Sequence, residues 1–161
     1  MIFLIGFMGS GKTTVAQLLS EKLALPLLEM DQEIERQEGT SIKDIFSRKG
    51  EGYFRQKETE LLQSIKADSV VSTGGGVVER EDNREALHMG KVIYLQASWE
   101  TIDSRLSNDT TRPLWKGDEQ DKKEKFQGRL ALYERAADLV VNVDDKSPEV
   151  ITDEIIRRLN G

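Results

Sequence analysis

The chain has 161 residues, of which 37% are hydrophobic and 32% are charged, so we expect one soluble globular domain. It contains no cysteine, which excludes disulfides, thiolate catalysis and cysteine-ligated zinc. The net charge of −6 argues against a nucleic-acid partner, and an anionic substrate would need basic residues gathered at its site. The early apolar run at residues 2–5 is too short to span a bilayer and lacks signal-peptide flanks, so we expect a cytoplasmic protein with no membrane partner.

The first predicted elements are a strand over residues 2–5 and a helix over 12–24, joined by the sequence GFMGSGKT. This junction fits the pattern G-x-x-x-x-G-K-[ST], in which glycines let the backbone turn tightly and aim its N–H groups at a phosphate. The positive end of the following helix points to the same place. Lys12 supplies a cation for the terminal phosphates, and the Thr13 hydroxyl is placed to ligate magnesium. The sequence therefore predicts a nucleotide site here rather than an ordinary glycine-rich turn.

A second strand is predicted from about residue 25 to Asp31, followed by a polar stretch and a short helix that Ser41 caps and that stops near Gly50. Because alternate strand residues point the same way, Glu29 and Asp31 are both expected to face the phosphates or a substrate. One would hold magnesium through water, and the other would orient a hydroxyl nucleophile. The structural alternative is that Asp31 caps the helix that follows.

The next predicted elements are a helix over 51–67, which carries Arg55 near its start, and a strand over 69–73. Three glycines, Gly74 to Gly76, follow this strand directly. They allow a ligand to approach the backbone closely, although a flexible connection between strand and helix would explain them equally well. Their position at the carboxyl end of a strand favours a ligand site.

A helix over 81–89, a strand over 92–95 and a helix from Ser98 to about residue 106 come next. The polar stretch over 107–125 is the one predicted long loop, and such a loop in a compact domain is often an active-site lid. Arg105 precedes this loop and Arg112 lies inside it. An arginine delivered by a lid can neutralise charge on a phosphoryl group during transfer.

The last predicted elements are a helix over 126–137, a strand over 139–143 and a helix that starts at Ser147 and Pro148. The strands are short, continuously apolar and alternate with helices, which is typical of a parallel sheet covered on both faces. Arg135 lies late in its helix, where it could simply favour the helix C-terminus. Together with Arg55, Arg105 and Arg112, it indicates a cationic pocket for a phosphate donor and an anionic acceptor.

The chain resembles the shikimate kinase family over nearly its whole length, through GFMGSGKTT, the acidic pair, GYFR, GGG, TRPL, LYERAAD and the SPE helix start. Each motif alone is modest, but seven in this order are specific. The resemblance implies a three-layer α/β P-loop kinase fold with a central five-stranded parallel sheet, helices on both faces and a mobile lid. It implies a single domain over 1–161, with a substrate-binding subdomain at approximately 32–60 and the lid at approximately 107–125. The implied reaction transfers the γ-phosphate of ATP to the 3-hydroxyl of shikimate.

Site roles follow from the same resemblance. It implies catalytic roles for Lys12, Asp31 and Arg112. It implies nucleotide contacts from Gly9, Ser10, Gly11, Lys12, Thr13, Thr14, Arg105, Arg112 and Pro148. It implies shikimate contacts from Asp31, Arg55, Gly74, Gly75, Gly76 and Arg135, in which the two arginines clamp the carboxylate. Magnesium would bind Thr13 and, through water, Glu29, where the family usually has the shorter aspartate.

Two alternatives remain open from the sequence. One is a related P-loop kinase for another sugar-like acid such as gluconate, against which Arg55, the triple glycine and Arg135 argue. The other is a nucleotide-binding regulatory module without transfer chemistry, for which the change to Glu29 is the only hint. We expect a monomer whose partners are the small molecules shikimate and ATP, with Mg²⁺ as cofactor.

Overall fold

A computed structural model of the chain describes residues 1–107 and 119–161. Its strands are β1 (Ile2–Ile5), β2 (Leu27–Glu29), β3 (Val70–Ser72), β4 (Lys91–Gln96) and β5 (Leu139–Asn142). Its α-helices are α1 (Lys12–Leu23), α2 (Met30–Glu38), α3 (Ile42–Lys49), α4 (Glu51–Ser64), α5 (Glu81–Leu87), α6 (Trp99–Leu106), α7 (Glu119–Ala136) and α8 (Pro148–Asn160), and Val77–Glu79 forms a short 3-10 helix. In the described ranges, no helix combines the length and the apolar character that a membrane span requires.

The five strands form one parallel sheet in the order β2-β3-β1-β4-β5. The central strand β1 pairs with β3 and β4, so that Ile2 lies opposite Val70 on one side and Lys91 on the other. All four residues of β1 are buried, as expected for a strand with helices against both faces. The predicted α/β class and the five-stranded parallel sheet are confirmed.

Helix starts follow the predicted chemistry. In three helices a serine at the N-cap accepts a hydrogen bond from the backbone N–H three residues later, as an N-cap side chain should. The pairs are Ser41 with Asp44, Ser98 with Thr101, and Ser147 with Val150, each at 3.2 Å.

The region after β2 differs from the prediction. The strand ends at Glu29, and α2 begins at Met30, so Asp31 lies in the first turn of a helix and not on the strand. Asp31 is not the helix cap either, because Glu29 occupies that position. The polar residues that follow are helical as far as Gly39, which ends the helix in a left-handed conformation (φ 71°). The sequence pattern did not predict α2, because this helix has few apolar residues to mark its inner face.

Helix α7 begins at Glu119, seven residues before the predicted start at 126. Residues 119–125 are mostly Glu, Gln and Lys, which favour helices without showing apolar periodicity. The part of the predicted lid from 119 to 125 is therefore helix. Residues 108–118, with Arg112, lie outside the described residues.

Candidate active site

The glycine-rich loop between β1 and α1 adopts the conformation for which its sequence is suited. Gly9 and Gly11 have φ values of 86° and 94°, in the left-handed region that disfavours other residues. Gly11 occupies the N-cap of α1, so the positive end of that helix opens into the loop. Arg105 of α6 braces the loop from outside by donating to the Gly9 carbonyl at 2.8 Å.

Lys12 is buried within this loop. Its Nζ donates to the carbonyl oxygens of Gly6 at 2.7 Å and Phe7 at 3.2 Å, and the residue is only 9% exposed. These contacts hold the ammonium group against the loop backbone, where a phosphate chain would bind.

A cavity of about 380 Å³ lies over the loop. All the predicted nucleotide contacts among the described residues line it, namely Gly9, Ser10, Gly11, Lys12, Thr13, Thr14, Arg105 and Pro148. The tertiary fold therefore brings α8 and α6 to the same crevice as the phosphate loop.

A second cavity of about 610 Å³ adjoins the first at the carboxyl ends of β2 and β3. Thr13, Glu29, Asp31, Gly74 and Gly75 line both cavities. The second cavity extends to α3 and α4, where Phe46, Phe54, Arg55 and Glu58 line it. Two ligands in the two cavities would thus meet beside Asp31, which is the arrangement that direct group transfer requires.

Arg55 is held at the wall of the second cavity by carboxylates of its own helix. Its Nη1 donates to Glu58 Oε1 at 3.0 Å and its Nε to Glu51 Oε2 at 3.4 Å, while Nη2 is buried without a hydrogen-bond partner among the described residues. The guanidinium stands 5.3 Å from the centroid of the Phe54 ring. Burial raises the pKa of the Glu58 carboxyl, and the neighbouring Arg55 limits that rise.

The structure does not bring Arg135 to this site. Arg135 is exposed on α7. Neither Arg135 nor Arg129 of the same helix lines a cavity, but Arg129 is 3% exposed and its Nη1 would stand 3.6 Å from a Cβ on Gly75, which lines both cavities. The reason is helical geometry: Arg135 points about 200° away from Tyr133, which faces the core, while Arg129 precedes Tyr133 by about one turn. Arg129 stacks 5.5 Å from the Phe7 ring centroid, and its Nη1 is buried without a partner in the described part of the chain.

Arg129 and Glu58 were not among the predicted site residues, although their positions in the sequence carry a signal for both. Arg129 lies three residues after the inward-facing Phe126 and four before Tyr133. Glu58 lies four residues after the inward-facing Phe54. A charged residue at an inward position of a helix is rare unless it is paired or functional, so this register alone marks both residues.

The triple glycine lies where side chains would have no room. A Cβ on Gly76 would stand 2.6 Å from Arg55 Nη2, and a Cβ on Gly74 would stand 2.7 Å from Glu58 Oε2. Neither glycine has a left-handed φ, so the requirement here is for space rather than for backbone freedom. The glycines therefore let the Arg55–Glu58 pair pack directly against the backbone after β3.

Glu29 faces the phosphate loop. Thr13 Oγ1 donates to Glu29 Oε2 at 3.3 Å, and Glu29 Oε1 is buried with no hydrogen-bond partner in the described ranges. Burial raises the pKa of the Glu29 carboxyl, and hydrogen bonds from Thr13 and Ser72 oppose that rise. Among the residues that the structure describes, no cluster of three or more His, Cys, Asp or Glu side chains is arranged to hold a metal ion.

The shikimate kinase family profile matches residues 8–160. A shikimate kinase of Persephonella marina is 44% identical over 161 residues, which cover 98% of this chain and 98% of that protein. The chain belongs to the shikimate kinase family. The interpretation of the sequence motifs as those of a kinase in this family is confirmed.

Solved structures agree with this membership. Shikimate kinase from Acinetobacter baumannii, in complex with shikimate, superposes with a TM-score of 0.93 at 36% identity and covers 99% of this chain and 92% of its own. Shikimate kinase from Aquifex aeolicus gives a TM-score of 0.89 at 38% identity, covering 99% and 96%. A deoxyadenosine kinase from M. mycoides, at 17% identity and a TM-score of 0.63, shares the fold alone.

Proposed function

We propose that this member of the shikimate kinase family transfers the γ-phosphate of ATP to the 3-hydroxyl of shikimate at the junction of the two cavities. The observation that carries the proposal is the pair of adjoining cavities, with the phosphate loop at one end and Arg55 in the wall at the other. The buried Arg129 approaches Gly75, which lines both cavities. A carboxylated acceptor suits the arginine end, because a planar guanidinium offers paired N–H donors to a carboxylate.

The acceptor would bind with its carboxylate between the two arginines. Arg55 Nη2 and Arg129 Nη1 are both buried and lack partners among the described residues, so a bound carboxylate would satisfy two donors that are otherwise costly to bury. Both donors lie beside the triple glycine, since a Cβ on Gly76 would be 2.6 Å from the first and a Cβ on Gly75 would be 3.6 Å from the second. The segment at approximately 32–60, which includes α3, would close the far wall as the substrate-binding subdomain.

The transfer step would occur beside Asp31. Its carboxylate would orient the attacking hydroxyl and accept its proton as the bond from oxygen to the γ-phosphorus forms and the bond to the ADP oxygen breaks. Lys12 and the N–H groups of the phosphate loop would neutralise the charge that develops on the phosphoryl group. Arg112 would add a further cation from the lid.

Magnesium fits the residues at the loop. The Thr13 hydroxyl and the Glu29 carboxylate supply hard oxygen donors in contact with each other, and the buried Oε1 of Glu29 gains a partner if a hydrated cation binds. ATP phosphate oxygens would provide the remaining ligands. When bound, magnesium supplies charge neutralisation on the β- and γ-phosphates.

Other expectations follow from the sequence and belong to this proposal. Adenine would lie between Arg105 and Pro148, which line the nucleotide cavity. The enzyme would work as a monomer in the cytoplasm, where ATP is available.

The test is ADP release by the purified protein with magnesium and ATP, in the presence of shikimate, gluconate or no acceptor. We expect release that depends on shikimate, with a product one phosphate heavier by mass spectrometry. Release that depends on gluconate would move the assignment to another sugar-acid kinase. ATP binding without release under any condition would favour the regulatory alternative.

A further inference from the structure

Arg129 is held by a carboxylate that the sequence motifs did not single out. Its Nε and Nη2 donate to the two oxygens of Glu79, each at 3.3 Å, so the guanidinium is engaged along one edge. The Phe7 ring lies 5.5 Å from the guanidinium carbon. The remaining nitrogen, Nη1, is left without a hydrogen-bond partner among the described residues. It would stand 3.6 Å from a Cβ on Gly75, a residue that lines both cavities.

Glu79 is itself fixed to the glycine segment. It ends the 3-10 helix Val77–Glu79, whose two valines are buried, and its backbone N–H donates to the Gly76 carbonyl at 3.1 Å. The Glu79 side chain is 42% exposed on its outer side. The ion pair therefore links α7 to the backbone that follows β3, through a carboxylate on a short hydrogen-bonded 3-10 helix.

We propose that Glu79 is a positioning residue for acceptor recognition, which holds Arg129 by two of its donors so that Nη1 points at the acceptor carboxylate. This inference rests on the proposed function, because it assigns the acceptor carboxylate to the Arg55 and Arg129 end of the crevice. A guanidinium that is fixed before binding loses less side-chain entropy when the ligand arrives.

Glu79 also has an unfavourable effect on acceptor binding, and we expect it to be smaller than the favourable effect of positioning Arg129. The negative charge of Glu79 offsets part of the positive charge that Arg129 presents to the acceptor carboxylate, which would weaken binding. Glu79 is partly exposed to water, so its through-space field at the acceptor is screened, whereas the direct pair sets the orientation of a nearly fully buried side chain. Without Glu79, Nε and Nη2 would lose the carboxylate that binds them, and the orientation of the Arg129 guanidinium would no longer be fixed by that pair.

The experiment compares Glu79→Gln and Glu79→Asp with wild type by steady-state kinetics for shikimate and ATP. Glu85→Gln is the matched control, because Glu85 is exposed on α5 and its change removes the same unit of charge. We expect the KM for shikimate to rise about tenfold in Glu79→Gln, with kcat and the KM for ATP within about twofold of wild type. Glu79→Asp, which keeps the charge on a shorter arm, should rescue part of that loss. Glu85→Gln should match wild type.

A second measurement separates positioning from a general loss of stability. In an Arg129→Lys background, which cannot present the same fork of donors, Glu79→Gln should raise the KM for shikimate by less than twofold. An equal tenfold rise in that background, or an unchanged or lower KM in Glu79→Gln alone, would overturn the inference. Wild-type protein that fails to phosphorylate shikimate would instead refute the proposed function, and this inference with it.

Discussion

Two substitutions on one helix, Arg129→Lys and Arg135→Ala, test the proposed contact between Arg129 and the acceptor carboxylate. Both arginines belong to α7, but only Arg129 is buried and close to the triple glycine. The pair therefore distinguishes a site residue from a surface residue without changing the element that carries them.

The expected magnitude comes from the donors that Arg129 offers. A hydrogen bond to a charged group contributes about 1.5–3 kcal/mol, and the proposed bond from Arg129 Nη1 to the acceptor carboxylate would form at a buried atom. Lysine keeps the charge but not the planar fork, so it cannot pair with Glu79 and reach the acceptor in the same way. We expect the KM for shikimate to rise by about 10- to 100-fold in Arg129→Lys.

The assay is coupled measurement of ADP release at saturating ATP over a range of shikimate concentrations. Because the interaction is made in the ground state and in the transition state alike, kcat should change little. Thermal melting of both variants controls for folding. Arg135→Ala should behave as wild type in every respect.

The reasoning would be refuted by a shikimate KM that stays normal in Arg129→Lys. It would also be refuted by a rise in Arg135→Ala, which would mean that α7 presents its other face to the acceptor in the working enzyme.

The remaining predictions concern the phosphate loop, the glycine segment and the metal. Lys12→Ala should lower kcat at least about 100-fold, because it removes charge stabilisation of the transferring phosphoryl group, and near-normal turnover would contradict the loop assignment. Gly76→Ala should raise the KM for shikimate, since its Cβ would displace the Arg55 guanidinium, whereas Gly52→Ala in the open part of α4 should not; equal kinetics in the two variants would count against the steric argument. Glu29→Asp should leave activity intact or raise it, and Mn²⁺ affinity measured by electron paramagnetic resonance should stay within about threefold; a large loss would show that the longer side chain has a specific role.

Local chemistry made much of the fold predictable. The glycine and lysine positions of the loop, the three serine caps and the apolar runs of the strands each act through neighbouring residues, so their pattern is visible in a linear sequence. Where the pattern lacked apolar residues, α2 was not predicted and the predicted start of α7 came seven residues late. Propensity without amphipathic contrast is a weak signal.

The sequence by itself predicted a nucleotide site after β1, an acidic pair at the end of β2 and a glycine segment after β3. Only the tertiary structure decided which arginine of α7 is buried beside the glycine segment. Arg135 and Arg129 look alike in a linear sequence, but the rotation of α7 against the sheet buries one beside Gly75 and leaves the other in water. Recognition of a small anion depends on where side chains from distant segments converge, and that convergence is a property of packing.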